Sequence, residues 1–116
     1  MGMNTKLKHI ESLKDFEVTL SDNDMLVVCA GRWGPMCIPV YKVMEHLELV
    51  NKYKHIQFRV VEFDNEAASP IKKAKECSSF RGLPFTVYYR NQKIVHATTS
   101  IQTKAQIEEI CEECFF

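Results

Sequence analysis

The spacing of hydrophobic and polar positions changes several times along the chain. Lys8-His9-Ile10 is a short extended candidate. Ser12 stands at an N-cap position, ahead of a helix from about Leu13 that turns Phe16, Leu20 and Leu13 inward. Ser21-Asp22-Asn23-Asp24 is a turn cluster. Met25-Leu26-Val27-Val28-Cys29-Ala30 runs without a polar break, the pattern of a strand covered on both faces. Gly31 to Pro35 is a loop. Beyond it, Val40, Val43, Met44 and Leu47 fall at i, i+3, i+4 and i+7, one face of a long helix. Ile56–Phe63 reads as a second core strand and Glu66 to about Cys77 as a shorter helix. Gly82-Leu83-Pro84 breaks the chain before a third strand, Phe85–Tyr89. Asn91-Gln92 is a hairpin turn from which Lys93–Thr98 returns antiparallel. Thr103-Lys104-Ala105-Gln106 matches a capping box that opens a last helix. The order β-α-β-α-β-α-β-β-α predicts an α/β fold with a mixed central sheet and helices on both faces.

At 116 residues the chain is expected to form one domain, 1–116, around one core. Hydrophobic content of 46% and charged content of 26% are those of an ordinary soluble protein. Fifteen Lys and Arg balance fifteen Asp and Glu, and the charges are interspersed. That excludes the basic face a nucleic-acid binder needs. The apolar runs Met25–Gly31 and Gly34–Tyr41 are too short to span a membrane. The polar start shows no secretory signal, and Lys6 breaks the myristoylation pattern. The five cysteines lack the spacing of a disulfide framework, so free thiols and a cytoplasmic, reducing compartment are expected.

Local words in this order resemble thioredoxin over nearly the whole chain. Trp33-Gly34-Pro35-Met36-Cys37 matches the family's Trp-Cys-Gly-Pro-Cys loop. Arg81-Gly82-Leu83-Pro84, followed by Phe85-Thr86-Val87-Tyr88-Tyr89, matches its Arg-Gly-Ile-Pro turn and strand. The strand ending at Asp64 and the hairpin at Asn91 fall at family-like spacings. A gapless alignment keeps Val40, Val43, Met44 and Leu47 on buried helix positions, whereas a one-residue shift would turn that stripe by about 100°. Cys37 then takes the place of the family's second, resolving cysteine, and Gly34 that of the attacking one. The resemblance implies a thioredoxin-like fold, a cis peptide at Pro84, and partners that are protein thiols or disulfides, glutathione among them. It implies Cys37 as the catalytic residue, with Trp33, Gly34, Pro35, Met36, Leu83 and Pro84 contacting the partner.

Three departures from the family pattern bear on activity. A dithiol reductase attacks with one thiolate and resolves with a second thiol; here the attacking position is Gly34. The family's buried carboxylate aligns with Val28, and its lysine partner with Val60. The groove residue after the hairpin, usually glycine, is Ser100. Two readings stand. One is an atypical thioredoxin-like protein acting in thiol–disulfide exchange through Cys37 alone, with dithiol reductase activity weak or absent. The other is a redox-inactive module that binds a partner through the groove beside Pro84. Pro39 suits a first helical turn but not an interior, so the helix starts either at Pro35 or near Pro39 with Cys37 or Ile38 as its cap.

The remaining cysteines read mainly as structure. Cys29 lies in an all-apolar run. Ile107, Ile110, Cys111 and Cys114 form a core-facing stripe, with a second redox pair at Cys111 and Cys114 as the alternative. Cys77 is either an exposed, oxidisable thiol or a bystander. His9, His46, His55 and His96 lie apart and read as surface residues. No second C-x-x-C or His pair completes a zinc site, so neither metal nor cofactor is expected. The chain is expected to be a monomer, with a disulfide dimer available through an accessible thiol.

Overall fold

Six consecutive apolar residues leave a strand no polar face to turn to water. The segment accordingly becomes the central strand, β2 (Met25–Gly31). In this computed structural model, which describes residues 5–116, Leu26 through Ala30 are wholly buried. The sequence reading of the first four residues lies outside the described range. Four other strands flank β2: β1 (Lys8–His9), β3 (Gln57–Glu62), β4 (Phe85–Arg90) and β5 (Lys93–Thr99), in the order β1-β3-β2-β4-β5. β1, β3 and β2 pair in parallel, whereas β4 runs antiparallel to both β2 and β5. Asn91 and Gln92 turn the β4–β5 hairpin at φ 51° and 69°, the left-handed conformations that a two-residue turn requires.

Alternation along the strands sends side chains into two cores. On one face Val27, Cys29, Phe58, Val60 and Tyr88 meet α2 (Ile38–Glu48) and α4 (Lys104–Phe115). On the other, Leu26, Val28, Ala30, Val61 and Val87 meet Phe16 of α1 (Leu13–Asp22) and the segment 66–77. Ser12 caps α1 by accepting from the Asp15 amide at 3.0 Å. One expected inward residue does not turn inward: Leu13 is 40% exposed, and the buried companion of Phe16 is Thr19. Leu13 sits in the first turn, before the helix passes over the sheet.

The segment 66–77 is not one helix. It is a 3₁₀ turn (Glu66–Ala68), a four-residue α3 (Ser69–Lys72) and a second 3₁₀ turn (Lys75–Cys77). Its inward residues explain this. Ala68, Ile71, Ala74 and Cys77 recur every third position, the period of a 3₁₀ helix rather than of an α-helix.

The last helix opens as its motif requires. Thr103 Oγ1 accepts from the Gln106 amide at 3.1 Å, and Gln106 Oε1 accepts from the Thr103 amide at 2.8 Å. Replacing Thr103 by Ala is expected to lower the unfolding free energy by about 1 kcal/mol, while Thr103→Ser leaves it nearly unchanged. Urea unfolding measures both; an unshifted midpoint for the alanine variant would contradict the capping role.

Candidate functional site

β2 delivers the chain to Gly31, whose carbonyl accepts from the Phe63 amide at 2.8 Å. The loop then turns outward under a two-point clamp. Arg32 Nε and a terminal guanidinium nitrogen donate to the two Asp64 oxygens at 2.7 and 2.8 Å. The Arg32 hydrogen bonds hold the Asp64 carboxyl below the usual carboxylate range. The guanidinium also lies 5.3 Å from the Phe63 ring centre. Both partners are exposed, so the pair adds little stability. Its planar fork fixes where the loop leaves the sheet.

Past the clamp, Trp33 and Met36 are 62% and 47% exposed, large apolar side chains facing water. The Cys37 and Ile38 amides donate back to the Gly34 carbonyl at 3.2 and 3.0 Å, closing a turn. The helix begins only at Ile38, with Cys37 as N-cap. Pro39 thus falls in the first turn, where its missing amide leaves no bond unmade. Of the two starts open to the sequence, the later one is found.

Cys37 is only 3% exposed. It lies on a floor defined by Gly31. A Cβ on Gly31 would overlap the Tyr41 hydroxyl, approach Cys37 Sγ to 3.0 Å and reach Pro84 Cβ at 3.3 Å. Three side chains, from Cys37, Tyr41 and the distant Pro84, therefore converge on the space one methyl group at Gly31 would fill. Tyr41 is wholly buried, and its hydroxyl donates to the Arg32 carbonyl at 2.8 Å. Burial first, and then the nearness of Cys29 and Cys37, raise its pKa, so it remains a neutral donor. At Gly34, by contrast, a Cβ would meet nothing within 4 Å. The position that the resemblance aligns with the family's attacking cysteine therefore has room for a side chain.

The opposite wall is the turn before β4. The Leu83–Pro84 bond is cis. Ser100 has φ 70°, a left-handed conformation that favours glycine, and its amide donates to the Gly82 and Pro84 carbonyls at 3.1 and 3.0 Å. The Thr99 hydroxyl also donates to the Gly82 carbonyl. Leu83 is half-buried, and the neighbouring Ile101 is 45% exposed.

The expected site residues divide. Cys37 Sγ and Pro84 Cβ both border the space beside Gly31. Trp33, Pro35 and Met36 stand exposed on the loop, Gly34 is half-buried within it, and Leu83 belongs to the facing turn. Val28 and Val60 do not form the neighbouring pair the resemblance implied. Val28 lies opposite Arg59 and Val60 opposite Cys29, so the two valines face different cores. The reason is the period of two: positions one step out of register project to opposite faces. Cys77 is buried rather than exposed. Burial pushes the Cys29 thiol well up, and all five thiols are free. The four histidines are exposed. Among the described residues, no three His, Cys, Asp or Glu side chains are grouped to hold a metal, and no helix is long and apolar enough to cross a membrane. Sequence reasoning missed Gly31, Tyr41 and the Arg32–Asp64 clamp. Only Tyr41 had a usable signal, its position four residues after Cys37 on the same helix face.

No protein-family model matches the sequence, and no curated protein matches it. Solved structures do. The chain superposes on a thioredoxin of Plasmodium falciparum with TM-score 0.73 and 18% identity, covering 93% of this chain and 99% of that one. A Malassezia sympodialis thioredoxin gives TM-score 0.75 at 14% identity, over 97% and 94% of the two chains. Thioredoxin O2 from Arabidopsis thaliana, in its oxidised state, gives 0.73 at 14% identity, over 100% of both. The protein has the thioredoxin fold, an α/β fold with a mixed five-stranded sheet.

The convergence at Gly31 makes a specific expectation. Gly31→Ala should destabilise the protein by about 1–3 kcal/mol through overpacking. In a Tyr41→Phe background, where the overlapping hydroxyl is gone, the same change should cost less. Denaturant unfolding of the four proteins in this cycle measures the coupling; strictly additive effects would contradict the contact.

Proposed function

We propose that this is a single-domain thioredoxin-fold protein that docks an extended segment of a partner protein between the Trp33–Met36 loop and the Leu83–Pro84 turn. Cys37 is the one thiol placed to exchange with that partner. The observation that supports this reading is that Cys37 Sγ and Pro84 Cβ both border the space beside Gly31, a thiol next to the turn that carries the cis peptide. Trp33, Met36 and Leu83 supply apolar walls. The backbone beside Pro84 supplies an edge for strand addition, and pockets for alternate side chains give such docking its specificity.

The exchange step is limited by what Gly34 lacks. Cys37, as thiolate, attacks a partner disulfide; one S–S bond breaks, a mixed disulfide forms, and the departing sulfur takes a proton. The active loop holds no second thiol to resolve this adduct, so a protein thiol or glutathione must release it. Two-thiol reductase turnover is therefore weak or absent. The protein acts as a monomer, and its five free thiols suit the reducing cytoplasm.

A second reading, partner binding without thiol chemistry, is favoured by the 3% exposure of Cys37, since buried thiols are inert. Alkylation near neutral pH with peptide mapping separates the two. Under the first reading Cys37 reacts much faster than the other four cysteines. Reaction no faster than that of the buried Cys29 would assign the site to binding alone.

A further inference from the structure

The only C-x-x-C of the chain lies outside the cleft, in the last turn of α4. Cys111 is wholly buried and Cys114 partly exposed. Being three residues apart on a helix, they share a face with Cα atoms about 5 Å apart, inside the range a disulfide spans. Their Cβ atoms are about 5–6 Å apart in an undistorted helix, against about 3.8 Å in a disulfide. The turn must tighten to join them. A mid-helix turn resists that change, but this turn is the last of α4, closed at its end by the Phe116 amide donating to the Glu112 carbonyl at 3.3 Å.

A second observation lies beneath that turn. Tyr88 on β4 is wholly buried, and its hydroxyl has no hydrogen-bond partner. The ring lies 6.4 Å from Phe115, centre to centre. Burial foremost, and then the neighbouring Cys111, Cys29 and Cys114, raise its pKa, so it stays a neutral donor. A buried donor without a partner is unfavourable unless something supplies an acceptor. A thiolate in that turn would be one.

We propose that Cys111 and Cys114 form a second thiol–disulfide site, with Cys114 as the outer attacking thiol, Cys111 as the resolving thiol and the Tyr88 hydroxyl as donor to the Cys111 sulfur. The co-substrate is a small disulfide of the glutathione type. Cys114 attacks one of its sulfurs; the S–S bond breaks, and the first small thiol leaves with a proton. Cys111 then attacks Cys114 Sγ, forming the Cys111–Cys114 bond and expelling the second small thiol. Two cysteines are oxidised and one small disulfide is reduced to two thiols. The surroundings suit slow, reversible exchange. Burial and then Glu113 raise the Cys114 pKa, and burial, Cys114 and two glutamates push the Cys111 thiol up to about 12.

The site is independent of Cys37, so its test is separate from that of the cleft. The folded protein is incubated with glutathione disulfide and quenched with acid. The tryptic peptide beginning at Ala105, which carries both cysteines, is then weighed. The expected product has lost two hydrogens and carries no adduct. Cys111→Ala should stop at a glutathione adduct on Cys114. Cys114→Ala should leave Cys111 reacting more than about tenfold slower, because a buried thiol lacks both access and thiolate. Tyr88→Phe should shift the product from disulfide toward the mixed adduct, which a merely structural role would not do. The wild-type measurement stands even if a variant fails to fold. A wild-type peptide that keeps both thiols under these conditions, or Cys111 reacting as fast without Cys114 as with it, would overturn the proposal.

Discussion

Tyr41 is buried beneath the loop that leaves the central strand, and its hydroxyl must find an acceptor there or cost about 1–3 kcal/mol. It finds the Arg32 carbonyl, the first residue past β2. That bond is possible only because residue 31 has no side chain, since a Cβ there would occupy the hydroxyl's place. One absent methyl group therefore lets α2, the loop and the Pro84 turn close on one another. The central strand supplies the rigidity: five consecutive wholly buried residues, paired on both edges and covered on both faces, hold Gly31 where the three elements meet.

The chemistry of the cleft follows from the same convergence. Cys37 stands at the N-cap position of α2, beside the space at Gly31 that Pro84 also borders, and is nearly hidden from solvent. In a two-thiol site that is the place of the resolving partner. The position in front of it, Gly34, is open and empty of chemistry. The exposed Trp33 and Met36, the backbone beside Pro84 and one recessed thiol are the features on which the proposed docking of a partner segment rests. The Arg32–Asp64 clamp fixes the loop's exit at little energetic gain.

Much of this was legible in the sequence because it depends on local pattern. The strand from Met25, the Ser12 cap, the Asn91-Gln92 turn and the Thr103 box rest on period and cap chemistry within a few residues. Pro39 narrowed the start of α2 to two choices for the same reason. What escaped depends on tertiary context. The three-residue period from Ala68 to Cys77 looked like a helix because short apolar runs fit both periods. Val28 and Val60 were paired by alignment, but strand register put them on opposite faces. The recess of Cys37 followed from the sequence only through its place at the family's resolving position; the neighbours that surround it, Tyr41, Gly31 and Pro84, arrive from separate elements.

The proposed function rests on Gly34 standing where a two-thiol site would need its attacking cysteine. The most direct test is catalysed reduction of a protein disulfide with dithiothreitol as electron source, comparing the natural chain with Gly34→Cys. The natural chain is expected to add almost nothing to the uncatalysed rate, and the Gly34→Cys protein to show measurable turnover. Turnover by the natural chain at the rate of a two-thiol thioredoxin would contradict the account.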